Sequence, residues 1–154
     1  MPLDQIDNEE LLSRILALVE GEDDDIAKMA TVTCEVFHNR EGFDWVGFYR
    51  VTAPEILKIG PYQGGHGCLQ IPFNRGVCGA AAREEKTQLV DDVESFPGHI
   101  ACSSSTRSEL VLPCFNAQGD LIAVFDIDSD TPSFFTEQDQ LFYEDLLARV
   151  FAFS

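Results

Sequence analysis

Apolar residues recur at three- and four-residue intervals near both ends of the chain and alternate with polar ones in its middle. Leu11, Leu12, Ile15, Leu16, Leu18 and Val19 form one helical stripe, with Asn8 as its expected N-cap and Gly21 as its stop. A second helix is predicted from Asp24 to Phe37. Its inner face would carry Ile26, Met29, Ala30, Thr33 and Phe37, and Asp23–Asp25 favour its start. Phe43–Val51 and Ile56–Tyr62 are rich in aromatic and β-branched residues and read as strands joined by a turn at Ala53–Pro54. A glycine-rich stretch, Gly60–Gly67, leads to a short extended piece, Cys68–Ile71, and to a short helix, Gly76–Glu84. Thr87–Val90 is extended. Asp91–Ser108 shows no periodicity and is long enough to be a functional loop. Glu109–Phe115 and Asp120–Ile127 read as a hairpin around Asn116–Gly119. Thr136 and Asp139 form a capping box that opens a last helix carrying Leu141, Phe142, Leu146, Leu147, Val150 and Phe151.

Two helices, two strands, a loop-rich middle, a hairpin and a closing helix contain no βαβ alternation and no repeat. The order predicts an α+β domain. An antiparallel sheet would carry the terminal helices on one face and the loops and short helix on the other, with a pocket beneath the loops. The 154 residues suit one domain covering positions 1–154.

Charge narrows the function classes. Ten Lys and Arg against 27 Asp and Glu give a formal net charge of -17. Phosphate-backbone binding needs clustered cations, and anionic membrane surfaces repel such a chain, so neither nucleic acid nor membrane is expected as a partner. A small anionic substrate is disfavoured too, whereas a zwitterion or cation is not. The opening MPLDQIDNEE lacks the basic start and apolar stretch of a signal peptide, and no apolar run reaches membrane-span length. A cytoplasmic protein is expected.

Five cysteines in a reducing compartment must be buried thiols, metal ligands or redox groups. Cys34, in the second helix, and Cys114, in a strand, read as buried structural thiols. Cys68, Cys78 and Cys102 fall in the loop-rich middle. Cys78 stands in a helix first turn, where the dipole lowers a thiol pKa. His66-x-Cys68 and His99-x-x-Cys102 could together supply zinc ligands, a weaker alternative because the spacing lacks tight paired knuckles. Asp126 and Asp128 are two apart on a strand and share a face, as an ammonium-binding pair or as a solvated strand end. Glu109 opens the neighbouring strand. Trp45 and Tyr49 share parity with Phe43, as core residues or as an aromatic pocket wall.

A resemblance carries the reading further. The segments W45-V-G-F-Y49, G60-P-Y-Q-G64, C68-L-Q-I-P-F-N-R-G-V-C78-G, T87-Q-L-V-D-D-V, F96-P-G-H-I-A-C102, R107-S-E109-L-V-L-P and D126-I-D128-S129 occur in that order. The three cysteines are separated by ten and twenty-four residues. This stretch resembles the GAF-domain family of free methionine-R-sulfoxide reductases. The resemblance implies a GAF-like fold and thiol-dependent reduction of free L-methionine-R-sulfoxide. It implies Cys102 as nucleophile, Cys68 as resolving cysteine, Cys78 as an alternative disulfide partner and Glu109 as a catalytic carboxyl. It further implies that Trp45, Tyr49, Glu109, Asp126 and Asp128 bind substrate, and that a thioredoxin-like donor recycles the disulfide. No cofactor or metal is expected, and a homodimer is left open. The alternative is a non-catalytic GAF sensor for a small amino-acid-like or nucleotide ligand.

Overall fold

Alternation along three central strands divides the molecule into two apolar layers. The computed structural model describes residues 6–153; Met1–Gln5, which begin the segment read above as lacking a signal peptide, lie outside them. In chain order the elements are α1 (Asn8–Leu18), α2 (Asp25–Asn39), β1 (Trp45–Ala53), β2 (Ile56–Gln63), β3 (Gln70–Pro72), α3 (Gly76–Glu84), β4 (Gln88–Val90), β5 (Ser108–Phe115), β6 (Leu121–Ser129) and α4 (Glu137–Leu147). A single 3₁₀ turn, Val93–Ser95, interrupts the long loop, and a π-helical turn, Ala148–Ala152, extends α4. The six strands form one antiparallel sheet in the order β3-β2-β1-β6-β5-β4.

Val46 and Phe48 of β1, Leu110, Leu112 and Cys114 of β5, and Ala123, Phe125 and Ile127 of β6 pack against α1, α2 and α4. The residues between them point the other way. Trp45, Tyr49, Val111 and Val124 join Leu57, Ile71 and the inner face of α3 in a second, smaller cluster. Helices on one face and loops plus α3 on the other is the layout that the order of elements predicts. Among the described residues, no helix is long and apolar enough to cross a membrane.

Local details depart from the sequence pattern in instructive ways. The N-cap of α1 is Asp7, whose Oδ1 accepts from the Glu10 amide at 2.8 Å; the Asn8 side chain instead accepts from Arg40 Nη2 at 2.7 Å. Helix α2 presents Met29, Val32, Thr33 and Val36 to the core and packs Phe37 against it, so of the expected face Ile26 and Ala30 are turned outward. Ile26 and Ala30 are exposed. The β-branched Val32 and Val36 win the inner stripe, and Cys34 consequently faces solvent, not the core. At the C-terminal end Leu146, Leu147, Val150 and Phe151 are buried as expected, whereas Leu141 is 65% exposed and Tyr143 takes a buried place in the stripe. The capping box of Thr136 and Asp139 is formed as the sequence predicts. Phe43 lies before β1 begins, outside the strand period. It packs among Phe134, Phe135 and Tyr143 on the helix side, away from Trp45 and Tyr49. Cys114 is fully buried, as expected.

The two stripes have measurable consequences. Phe125→Ala removes a fully buried ring that packs on Phe48 at 4.6 Å. It is expected to cost about 3–5 kcal/mol, read from the urea unfolding midpoint. Leu141→Ala is expected to stay within about 0.5 kcal/mol.

Candidate active site

The sheet face opposite the helices carries three carboxyl groups among largely apolar side chains. Glu109 of β5 and Asp126 and Asp128 of β6 follow the same alternation that buries Val111 and Val124 beside them. The register brings them together: Glu109 pairs with Asp128, and Asp128 pairs in turn with Trp45 of β1, while Asp126 lies between Gly47 and Val111. Each of the three offers an oxygen within 4.8 Å of those of the other two. All three side chains are about nine-tenths buried or more. Asp126 Oδ1 and Asp128 Oδ1 have no hydrogen-bond partner. The solvated-strand-end reading of these two aspartates is thereby set aside.

Burial raises the pKa of each carboxyl. Desolvation is the main cause for all three, and the Asp126 charge adds to it for Glu109 and Asp128. Three carboxylates cannot share so small a buried space as full charges, so the cluster holds protons that a solvated one would release. An entering cation would draw them back to the ionised form.

The remaining walls come from the loops. Trp45 and Tyr49 stack at 5.8 Å between ring centroids, and Tyr62, which the sequence pattern did not single out, stacks on the outer face of Trp45 at 5.3 Å. Trp45 Nε1 donates to the Gly65 carbonyl at 2.8 Å, fastening the glycine-rich segment over the ring. A Cβ at Gly67 would stand 2.8 Å from the Tyr49 hydroxyl, which is why this approach needs glycine. From the other side, the Gly76 amide donates to the Gly98 carbonyl at 2.9 Å and joins the N-terminus of α3 to the Asp91–Ser108 loop. Together these segments enclose a narrow cavity of about 40 Å³. Its lining includes Trp45, Tyr49, His66, Cys78, His99, Cys102, Glu109, Asp126 and Asp128. Ile71, Ser103 and Thr106 also line it; Ile71 lies in the Cys68–Cys78 segment, where the sequence pattern does not single it out, and Ser103 and Thr106 carry no motif.

Cys68 and Cys102 are joined by a disulfide, with Cα atoms 5.1 Å apart and a sequence separation of 34. Both are half-buried. Cys102 lines the cavity, whereas Cys68 does not. Bonded to each other, the two sulfurs do not present the thiolates that the four-ligand zinc arrangement would need. Among the described residues, the one group of acidic, histidine and cysteine side chains close enough to hold a metal is the carboxyl triad. Cys78 is buried beside it, and its thiol pKa is pushed up by burial and then by the charges of Asp126 and Glu109. This reverses the expectation of a helix-activated thiolate: desolvation outweighs the dipole of α3.

The profile of the GAF-domain family matches residues 25–152. The chain belongs to the GAF-domain family. Within it, the chain is 46% identical to GAF domain-containing protein A of Dictyostelium discoideum, over 90% of this chain and 87% of that protein. It is 37% identical to the free methionine-R-sulfoxide reductase of Escherichia coli, over 87% of this chain and 80% of that protein. The X-ray structure of free methionine-R-sulfoxide reductase from Neisseria meningitidis in complex with its substrate superimposes with a TM-score of 0.87 at 40% identity. That match covers 93% of this chain and 85% of the other. The single GAF domain, with its antiparallel sheet and flanking helices, agrees with the fold expected from the resemblance.

The carboxyl triad makes the stability of this GAF domain depend on pH. The folded-state pKa values are raised, so the triad's contribution is fully present below the ordinary carboxylate pKa, about 4, and is lost as pH rises through the raised values. The Tm of Asp128→Asn, measured from pH 5 to pH 8 without ligand, is expected to fall less steeply with rising pH than that of the wild type. Parallel profiles would contradict the coupling.

Proposed function

We propose that this GAF domain reduces free methionine-R-sulfoxide to methionine with its own thiols. The observation that carries the reading is a disulfide between Cys68 and Cys102 beside a cavity with three buried carboxyl groups, two of which have unpartnered oxygens. Redox sulfur and a cation-seeking pocket in one place suit a substrate that is both an oxidant and an ammonium. The identities shared with proteins named as such reductases support the same substrate.

In this reading the reduced enzyme binds the zwitterion with its ammonium at Asp126 and Asp128, through charge-assisted hydrogen bonds. The flat walls of Trp45 and Tyr49 take the thioether end. Cys102, as thiolate, attacks the sulfoxide sulfur. Glu109, held protonated by burial, gives its proton to the oxygen as that oxygen moves to the cysteine sulfur. Methionine leaves and Cys102 is a sulfenic acid. The Cys68 sulfur then attacks Cys102, a disulfide forms, and the oxygen departs as water. A dithiol donor of the thioredoxin type returns both cysteines to the reduced state. Cys78, close to the triad, serves as an alternative disulfide partner.

Two measurements test the scheme. Cys102→Ser is expected to lose turnover with every reductant, whereas Cys68→Ser releases one equivalent of methionine and then stalls with thioredoxin. Full activity in Cys102→Ser would sink the assignment. N-acetylation of the substrate removes the ammonium and is expected to lower kcat/KM by about a thousandfold or more, since the buried carboxylates then go unpaired. A GAF domain that binds its ligand only as a sensor would release no methionine from either compound, and alkylating its thiols would leave ligand binding unchanged.

A further inference from the structure

We propose that the two sulfurs of the disulfide are served from opposite sides: substrate meets Cys102 inside the cavity, while the reductant docks on the outer β2–β3 edge and attacks Cys68. This rests on the reductase reading above and adds the surface on which the donor lands.

The first observation is the asymmetry of the bond. Cys102 lines the cavity and Cys68 does not. The residue after Cys68 is Leu69, the most exposed large aliphatic side chain among the described residues, at 75%. The Leu69 carbonyl accepts from the Ile59 amide at 3.0 Å, so Leu69 is held against the sheet edge and not on a free loop.

The second observation is charge. Arg50 of β1 and Lys58 of β2 are directly paired in register, and with Ile59, Leu69 and Gln70 they border one groove. Like charges facing each other across a ladder repel. Among the described residues neither forms a salt bridge, in a chain with 27 acidic side chains. Arg50 Nη2 makes a long contact of 3.4 Å to the Ile59 carbonyl, and Arg50 Nε is buried with no partner. A chain with a net charge of -17 repels acidic proteins over most of its surface, and the sign is locally reversed in the groove that Leu69 borders, one residue along the chain from Cys68. An exposed aliphatic anchor flanked by unpaired cations fits a protein dithiol whose active-site rim is apolar and acidic.

The chemistry then has a direction. A donor thiolate attacks Cys68 Sγ and forms a mixed disulfide. The Cys68–Cys102 bond breaks, and its electron pair leaves on Cys102, inside the cavity where the next sulfoxide binds. The donor's second thiol, deprotonated, attacks the donor sulfur of the mixed disulfide and releases Cys68 as thiolate. The donor ends as a disulfide, two electrons poorer, and the enzyme as a dithiol.

The test uses the whole chain and a thioredoxin whose second active-site cysteine is replaced by serine. Mixed with oxidised enzyme, quenched in acid and digested, it is expected on the Cys68 peptide; a mixed disulfide on the Cys102 peptide overturns the proposal. In parallel, turnover of Leu69→Ser and of Arg50→Gln combined with Lys58→Glu is driven by thioredoxin or by dithiothreitol. The KM for thioredoxin is expected to rise about tenfold in the charge variant, with dithiothreitol-driven turnover unchanged. Salt is expected to raise the wild-type KM towards that of the charge variant. An unchanged thioredoxin KM in both variants removes the docking surface. No turnover of the wild type with dithiothreitol would remove the reductase reading itself.

Discussion

The arrangement turns on the cost of keeping three carboxyl groups out of water. Burying one unpaired carboxylate costs several kcal/mol, and Glu109, Asp126 and Asp128 are buried within reach of one another. The strands cannot turn them outward. Their alternation is fixed by Leu110, Leu112, Phe125 and Ile127, which fill the opposite face. A one-residue slip would place the carboxyls in the helix-side core and those aliphatic and aromatic side chains in the cavity. The helical layer therefore does more than stabilise the fold: its packing demand holds a strained polar cluster on the far side of the sheet.

The cavity around the cluster is made by backbone approach as much as by side chains. Gly67 lies against Tyr49, and a Cβ on Gly79 would stand 2.8 Å from the Pro72 carbonyl. These contacts bring the Cys68 segment and α3 down onto the sheet. The Gly76–Gly98 hydrogen bond and the disulfide hold the long loop over it. Loops that carry little periodic structure of their own thus become a wall, fastened at a few points to a rigid sheet.

The chemistry-bearing positions of the strands were legible in the sequence because period-two alternation is a short-range rule. Asp126 and Asp128 are assigned to one face by their spacing alone, whereas Glu109, on another strand, joins them only through the register and the resemblance. Helix faces were read less well. The apolar pattern of α2 admits a stripe through Ile26 and Ala30, which would turn Cys34 inward, yet Val32 and Val36 face the core and Cys34 faces solvent. Weak apolar residues on several faces leave a helix's rotation undecided until a sheet is there to pack on. Phe43 was grouped with Trp45 and Tyr49 because parity was carried past the strand start. The lining from Ser103 and Thr106 left no trace, since loop residues have no period. The pairing of Cys68 with Cys102 came from resemblance, because spacing does not determine which cysteines meet.

The disulfide also ties the chain's mechanical integrity to its chemistry. It bridges a sequence separation of 34, across a stretch that includes β3, α3, β4 and most of the long loop. In the chain-entropy view, a cross-link of that length constrains the unfolded chain by about 4 kcal/mol. That is a large share of the roughly 5–15 kcal/mol by which domains exceed their unfolded state. Opening the bond frees the cavity wall and loosens the whole domain together. A reduced molecule waiting for an oxidant is then the form most open to proteases, and the oxidised molecule the form most protected from them. The lifetime of the protein would follow the redox state of its surroundings with no dedicated degradation signal.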